Sequence, residues 1–200
     1  MNGGSAFHSL GTTIPTTPRA VRARNILKEK ISKGEKVTLE FFKEMQLDLI
    51  DENSKKAYPL LLNLVEKYKH QFANAKEIKI INKMVEILKG WDGSYGMDSK
   101  EALIYYKWLD YIYDDFFHEQ LTDLQERLTV INSFFIENFL GKLAVEWNNG
   151  QNLESIYCRN ENNKNKRLHC MNNLITSLLN TYNYIIDRFG KNEVATNITT

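Results

Sequence analysis

Leu88-Lys89-Gly90-Trp91-Asp92-Gly93 stops one helix, reverses the chain and prepares the next. Upstream, Ile78, Ile81, Met84, Val85 and Leu88 recur at helical spacing. Downstream, Met97-Asp98-Ser99 opens a second periodic segment, with an N-cap residue followed by Glu101 in the first turn. Gly90 suits a left-handed C-cap, which costs a residue without a Cβ little. Asp92-Gly93 is a turn dipeptide, and Trp91 is large enough to pin the corner into a core. Punctuation of this kind reads as a packed helix–helix junction, so the stretch is architecture before it is chemistry.

Working outward, the same 3.6-residue period governs the chain. Residues 1–17 are rich in Gly, Ser and Thr and read as a flexible lead-in. Pro18 fits the first turn of a helix carrying Arg19, Arg22 and Arg24, which should end near Gly34. Thr38 caps the next, with Phe41, Phe42, Met45 and Leu49 as its stripe. Asp51 or Ser54 starts a third, in which Pro59 must sit in a first turn or make a kink.

Beyond the corner, Ala102, Tyr106, Leu109, Ile112, Tyr113 and Phe116 predict an aromatic-rich face. Leu121 to Phe139 predicts a further helix stopping at or soon after Gly141. The Asn-rich stretch 148–166 reads as an exposed loop, and a last helix through Leu174, Leu178, Tyr182, Ile185 and Phe189 should close at Gly190. No segment alternates cleanly over a strand length. The expectation is an all-α fold of about six or seven helices, a single helical domain over 18–190 with a polar tail at 191–200. That tail holds a weak glycosylation sequon, Asn197-Ile198-Thr199.

Composition narrows the function. Of 200 residues 42% are hydrophobic, enough to fill a core, and 26 basic residues face 25 acidic ones. That balance speaks against a general nucleic-acid binder, which needs a basic excess on one face. No apolar run approaches the roughly 20 residues of a membrane span, and no targeting signal is read in this chain.

Catalytic signatures are sparse. His8, His70, His118 and His169 are scattered, and the nearest cluster, Asp114-Asp115 with His118, reads as helix-end charge, so no metal or other cofactor is expected. No nucleophile elbow or phosphate-binding loop occurs. Cys158 and Cys170 are ordinary thiols in a reducing compartment and close a small loop in an oxidising one. The arginines at a helix start stand out, because cations there oppose the helix dipole. They need a carboxylate or a carbonyl-bearing ligand as partner, unless they are merely solvated.

Several motifs in order carry a resemblance. Arg19-Ala20-x-Arg22-x-x-x-Ile26-Leu27, Met45-Gln46-x-Asp48, Ala57-x-Pro59-x-Leu61-Leu62, Gly90-Trp91-Asp92-Gly93 and Asp98-Ser99-x-x-Ala102 follow one another. Cys158 and Cys170 come next, then a helix ending Arg188-Phe189-Gly190-Lys191-Asn192. Together they resemble the penicillin acylase (penicillin amidase) family of N-terminal-nucleophile hydrolases, specifically the helical part of the β chain.

The resemblance implies hydrolysis of non-peptide C–N bonds in linear acyl amides by a serine that self-cleavage exposes and whose own α-amine is the base. That serine should lie upstream of this segment, on a sheet sandwich. Ser5 follows a glycine but leads into a helix, so it is rejected, and Asn2 is not taken as the oxyanion donor. The Trp-x-Trp-Gly-x-x-His stretch expected after the last helix is missing, so the chain is expected to be a fragment, inactive alone. Its expected partners are the remaining segments of the α and β chains and, in the parent, an acyl-amide substrate.

By the same resemblance Arg19 is the one residue near the active site, as an accessory group, and Cys158 pairs with Cys170 in a secreted, periplasmic or lumenal parent. The competing reading is a free-standing helical interaction module with a groove lined by Tyr105, Tyr106, Trp108 and Tyr111.

Overall fold

The computed structural model describes residues 17–121, 132–151, 153–160 and 163–193. Side chains at 116–121, 132–139, 154–169 and 191–193, the lead-in with His8 and Ser5, and the tail with its sequon lie outside the described residues. Among the described residues there are seven helices: α1 (Pro18–Ser32), α2 (Leu39–Leu47), α3 (Glu52–Phe72), α4 (Ala75–Lys89), α5 (Lys100–Leu121), α6 (Asn132–Asn148) and α7 (Cys170–Glu193). One antiparallel hairpin, β1 (Glu154–Asn160) and β2 (Asn163–His169), separates the last two. The all-α expectation therefore holds, with a two-stranded addition.

Helix starts follow local chemistry. Thr17 accepts the Ala20 amide ahead of Pro18, and Thr38 accepts the Phe41 amide. Asp51, not Ser54, caps α3, taking the Asn53 and Ser54 amides at 2.8 and 2.7 Å. Asn74 and Glu77 close a capping box on α4, and Ser99 accepts the Ala102 amide at 3.0 Å to start α5.

α3 continues through Pro59, which is past its first turn. Proline forfeits one amide bond to the carbonyl four residues back. Burial of Leu61, Leu62, Leu64 and Val65 along the same helix outweighs that loss.

The core forms where α3, α4, α5, α6 and α7 meet. Trp108 and Trp147 are fully buried, with Leu64, Met84, Leu140, Met171 and Leu178 around them. The Trp108 indole donates to the Leu174 carbonyl and the Ser177 hydroxyl, each at 3.2 Å, so the polar edge of a buried ring is satisfied. Asn148 at the end of α6 reaches the Leu60 carbonyl at 3.3 Å and ties that helix to α3.

The Gly90–Gly93 corner packs as the sequence implies, and Trp91 is 5% exposed. Its ring lies 5.2 Å from that of Tyr58, 5.0 Å from Tyr105 and 5.3 Å from Tyr95. The Tyr58 hydroxyl donates to the Trp91 carbonyl, and the indole N–H donates to the Ser94 carbonyl at 2.9 Å. Burial, and then the nearby Asp92 carboxylate, raise the Tyr58 pKa and keep that donor protonated. The corner also pairs with the α2–α3 link: Asp51 N–H bonds the Gly93 carbonyl at 2.9 Å and Tyr95 N–H the Leu49 carbonyl at 3.0 Å.

Four expectations change. Gly90 has φ −93°, and the left-handed glycine is Gly93, at φ +85°. A Cβ on Gly93 would stand 3.0 Å from the Lys55 Cβ and 3.2 Å from the Asp51 carbonyl oxygen, so this position needs glycine for room as well as for its φ. α6 continues past Gly141 to Asn148, because Leu143, Ala144 and Trp147 go on burying the same face. Tyr106 is 57% exposed, and the inward stripe of α5 is Ala102, Tyr105, Trp108 and Ile112.

Finally, the Asn-rich stretch is largely the β1–β2 hairpin, its ladder extended by the Cys170 amide on the Leu153 carbonyl at 2.7 Å. Backbone pairing, open to any residue, overrode a polar composition. Of the helix predicted from Leu121 onward, positions 122–131 lie outside the described residues.

Replacing Gly93 by Ala should lower stability by about 1–3 kcal/mol, through a strained φ and the Lys55 contact. Gly90→Ala should change it by less than about 0.5 kcal/mol, since its φ is ordinary and no neighbour is near. Urea unfolding of the two variants side by side checks this; equal losses would contradict the assignment.

Candidate functional site

The arginines that begin α1 meet the link between α2 and α3. Arg19 is exposed along its length, yet its two terminal nitrogens donate to main-chain carbonyls, one to Gln46 and one to Asp48 at 3.0 Å. Arg22, one turn on, is half-buried. Its Nε and one terminal nitrogen make a fork to the two Asp48 oxygens at 3.0 and 2.8 Å, and its other terminal nitrogen reaches Glu52 at 3.0 Å. Arg24 points to solvent. The helix-start arginines are thus compensated twice over, Arg19 by carbonyls and Arg22 by carboxylates.

The electrostatics are one-sided. The Arg22 fork, opposed by burial and assisted by the Ile50 amide at 3.1 Å, holds the Asp48 carboxyl below its ordinary value of 3.8. Asp48, then Glu52, push the Arg22 guanidinium further up. At 22% and 18% side-chain exposure the pair is drier than a surface ion pair, and a fork of this geometry holds both groups in one orientation.

Between α1 and the α2–α3 link lies a cavity of about 330 Å³, walled by Arg19, Arg22 and Ala23 on one side and Gln46, Ile50 and Tyr95 on the other. Tyr95 links it to the corner: its hydroxyl meets Ser54 Oγ at 2.8 Å and its ring packs on Trp91. The cavity is lined by two guanidinium groups, an amide and a phenol beside the Asp48 and Asp51 carboxylates, and its guanidinium donors already hold carbonyl and carboxylate oxygens in place. An always-charged guanidinium cannot serve as the base. Among the described residues no group of three His, Cys, Asp or Glu side chains could hold a metal ion.

Of the sequence candidates, Arg19 stands at this cavity. Cys170 is disulfide-bonded and fully buried, at the start of α7; the Cys158 side chain lies outside the described residues. Tyr105, Tyr106, Trp108 and Tyr111 do not line a common groove, because Tyr105 and Trp108 are fully buried in the core and Tyr106 is exposed. The dipole argument did not separate Arg22 from Arg24, and only the family-like run Arg19-Ala20-x-Arg22, which leaves Arg24 out, set the two apart. The physical signal that could have done so is Gln46-x-Asp48 together with Glu52, which supplies acceptors at the site the dipole argument demanded.

A cavity framed by paired arginines and a Gln-x-Asp turn, braced by a Gly-Trp-Asp-Gly corner, sits in a helical scaffold. The penicillin amidase family model matches residues 2–198, and the chain belongs to that family. No curated protein matches it.

Because folded Asp48 titrates below 3.8, the Arg22 clasp is at full strength above that pH and is lost as pH falls through the lowered folded value. Asp48→Asn should therefore flatten the acid limb of thermal stability between pH 5 and about 3 relative to wild type. Both proteins keep Glu29 and Glu35, which Lys33 and Lys30 hold low in the same range. Parallel acid limbs would assign the effect to those exposed carboxylates.

Proposed function

We propose that this chain supplies the helical part of a catalytic β chain that hydrolyses carbon–nitrogen bonds other than peptide bonds in linear acyl amides. The observation that carries this reading is the family match, which runs nearly the whole length of the chain. The nucleophile is an N-terminal serine outside this chain, acting through an acyl-enzyme with its own amine as base. The helices here pack against the remaining segments of the α and β chains, and no nucleic acid takes part. No cofactor enters the chemistry. The chain on its own lacks the nucleophile and is inactive.

Arg19 is the residue of this chain nearest the reaction. Its carbonyl-directed grip on Gln46 and Asp48 supports an accessory role, orienting carbonyls and shaping the field around the nucleophile's amine. The disulfide at Cys170 joins it to Cys158, the other of the two cysteines. That pairing supports a secreted, periplasmic or lumenal parent. No helix among the described residues is long and apolar enough to cross a membrane.

In the full-length parent, hydrolysis of a chromogenic acyl anilide should fall by roughly 10²-fold in Arg19→Ala, through slower maturation or turnover, and stay near wild type in Arg24→Ala. Equal effects from the two would return Arg19 to the surface. Turnover by the isolated 200-residue chain would overturn the assignment of the nucleophile.

Reduction should cost about 2–3 kcal/mol of stability if Cys158 and Cys170 are bonded to each other. Mass mapping of unreduced peptides checks the pairing directly, and two alkylated thiols would refute it.

A further inference from the structure

α1 is held mainly through polar contacts among the described residues. None of its residues is buried, and Val21, Ile26 and Leu27 are only half-covered. Its described ties are polar: the Arg22 fork to Asp48 and Glu52, the Arg19 bonds to two carbonyls, and Lys30 set 5.3 Å over the Phe41 ring. Past its C-terminus, residues 33–38 are all exposed, and Gly34 sits at φ +67° with nothing within 4 Å of a Cβ. Gly34 caps the helix, its amide on the Ile31 carbonyl at 2.9 Å and the Glu35 amide on the Lys30 carbonyl at 3.2 Å, so the joint is the exposed link that follows. A helix with a polar clasp near its N-terminus, an exposed link beyond its C-terminal cap and only partly buried apolar residues has a low barrier to leaving the body.

We propose that α1 is a hinged strap over the 330 Å³ cavity, closed by the Arg22 clasp and opening as a unit about the exposed link 35–38 while the helical core stays folded. Arg19, Arg22 and Ala23 form one wall of the cavity, so when α1 leaves, the Gln46, Ile50 and Tyr95 side becomes accessible. The Lys30–Glu35 ion pair spans the joint, so it resists hinging without fixing the clasp. Exposure of about a fifth on Arg22 and Asp48 leaves the clasp within reach of salt, and α4 and α5, which are packed through apolar surface, are indifferent to it.

Amide hydrogen exchange of the whole chain, followed peptide by peptide, tests this. In wild type, the protection of α1 relative to α4 and α5 should drop about tenfold between low salt and about 1 M salt. Arg22→Gln should give that drop already at low salt, remove the salt response and leave α4 and α5 unchanged. Glu52→Gln should fall between the two, and Arg24→Gln, on an exposed residue of the same helix, should match wild type. The proposal fails if α1 exchanges in step with α4 and α5, if salt leaves α1 unaffected, or if Arg24→Gln opens it as much as Arg22→Gln. Should Arg22→Gln not fold, the wild-type salt series and Glu52→Gln still decide.

Discussion

One contact sets the geometry that everything else uses: the Trp91 ring closed in by Tyr58, Tyr105 and Tyr95, with its own carbonyl taken by the Tyr58 hydroxyl. These three rings come from α3, from α5 and from the residues just after the corner, so a single indole ties α3 and α5 to the turn that joins α4 to α5. Aromatic pairs of this kind contribute about 0.5–1.5 kcal/mol each beyond their buried area. The backbone bonds from Asp51 and Tyr95 carry that fixed corner to the α2–α3 link. The link in turn presents Gln46 and Asp48 to the arginines of α1. The cavity is thus positioned at second hand, by a tryptophan that does not line it.

Helix positions were legible in the sequence because burying one face of a helix forces a 3.6-residue period and each cap has its own local chemistry. Thr38, Asp51 and Ser99 declare their roles through side chains that reach only three residues along the chain. Gly90 and Gly93 show where such reasoning stops. Both satisfy the same local rule, yet the second takes the positive φ and also has Lys55 where a Cβ would stand, neither of which a local rule reveals. The hairpin was hidden for a related reason: Ile156, Tyr157 and Cys158 favour strands, but they are embedded in polar residues, and pairing is a property of two segments rather than one.

The arginine cluster was legible as an electrostatic problem and not as its solution. Three cations at a helix start announce a need for partners, but the division among carbonyls, carboxylates and water depends on which acceptors the α2–α3 link brings within 3 Å. Arg22 obtains the fork; Arg19, one turn earlier, is left with main-chain oxygens; Arg24 faces away. A residue that grips carbonyls with an exposed side chain can exchange them for other carbonyls, which is in keeping with the accessory role proposed for Arg19.

The central place of α7 bears on the order in which this chain is made. Trp108 finds the acceptors for its indole, the Leu174 carbonyl and Ser177 Oγ, 66 and 69 residues further along, and Leu60 is tied to Asn148 at a separation of 88. A nascent chain that has emerged only through α5 therefore carries the Trp108 ring without the α7 groups that satisfy its indole. Such a chain must hold that surface away from other chains until Met171, Leu174 and Leu178 are synthesised. Synthesis speed through the polar 148–166 stretch then sets how long the half-built core stays open. A run of slow codons there would be felt as aggregation rather than as lost activity.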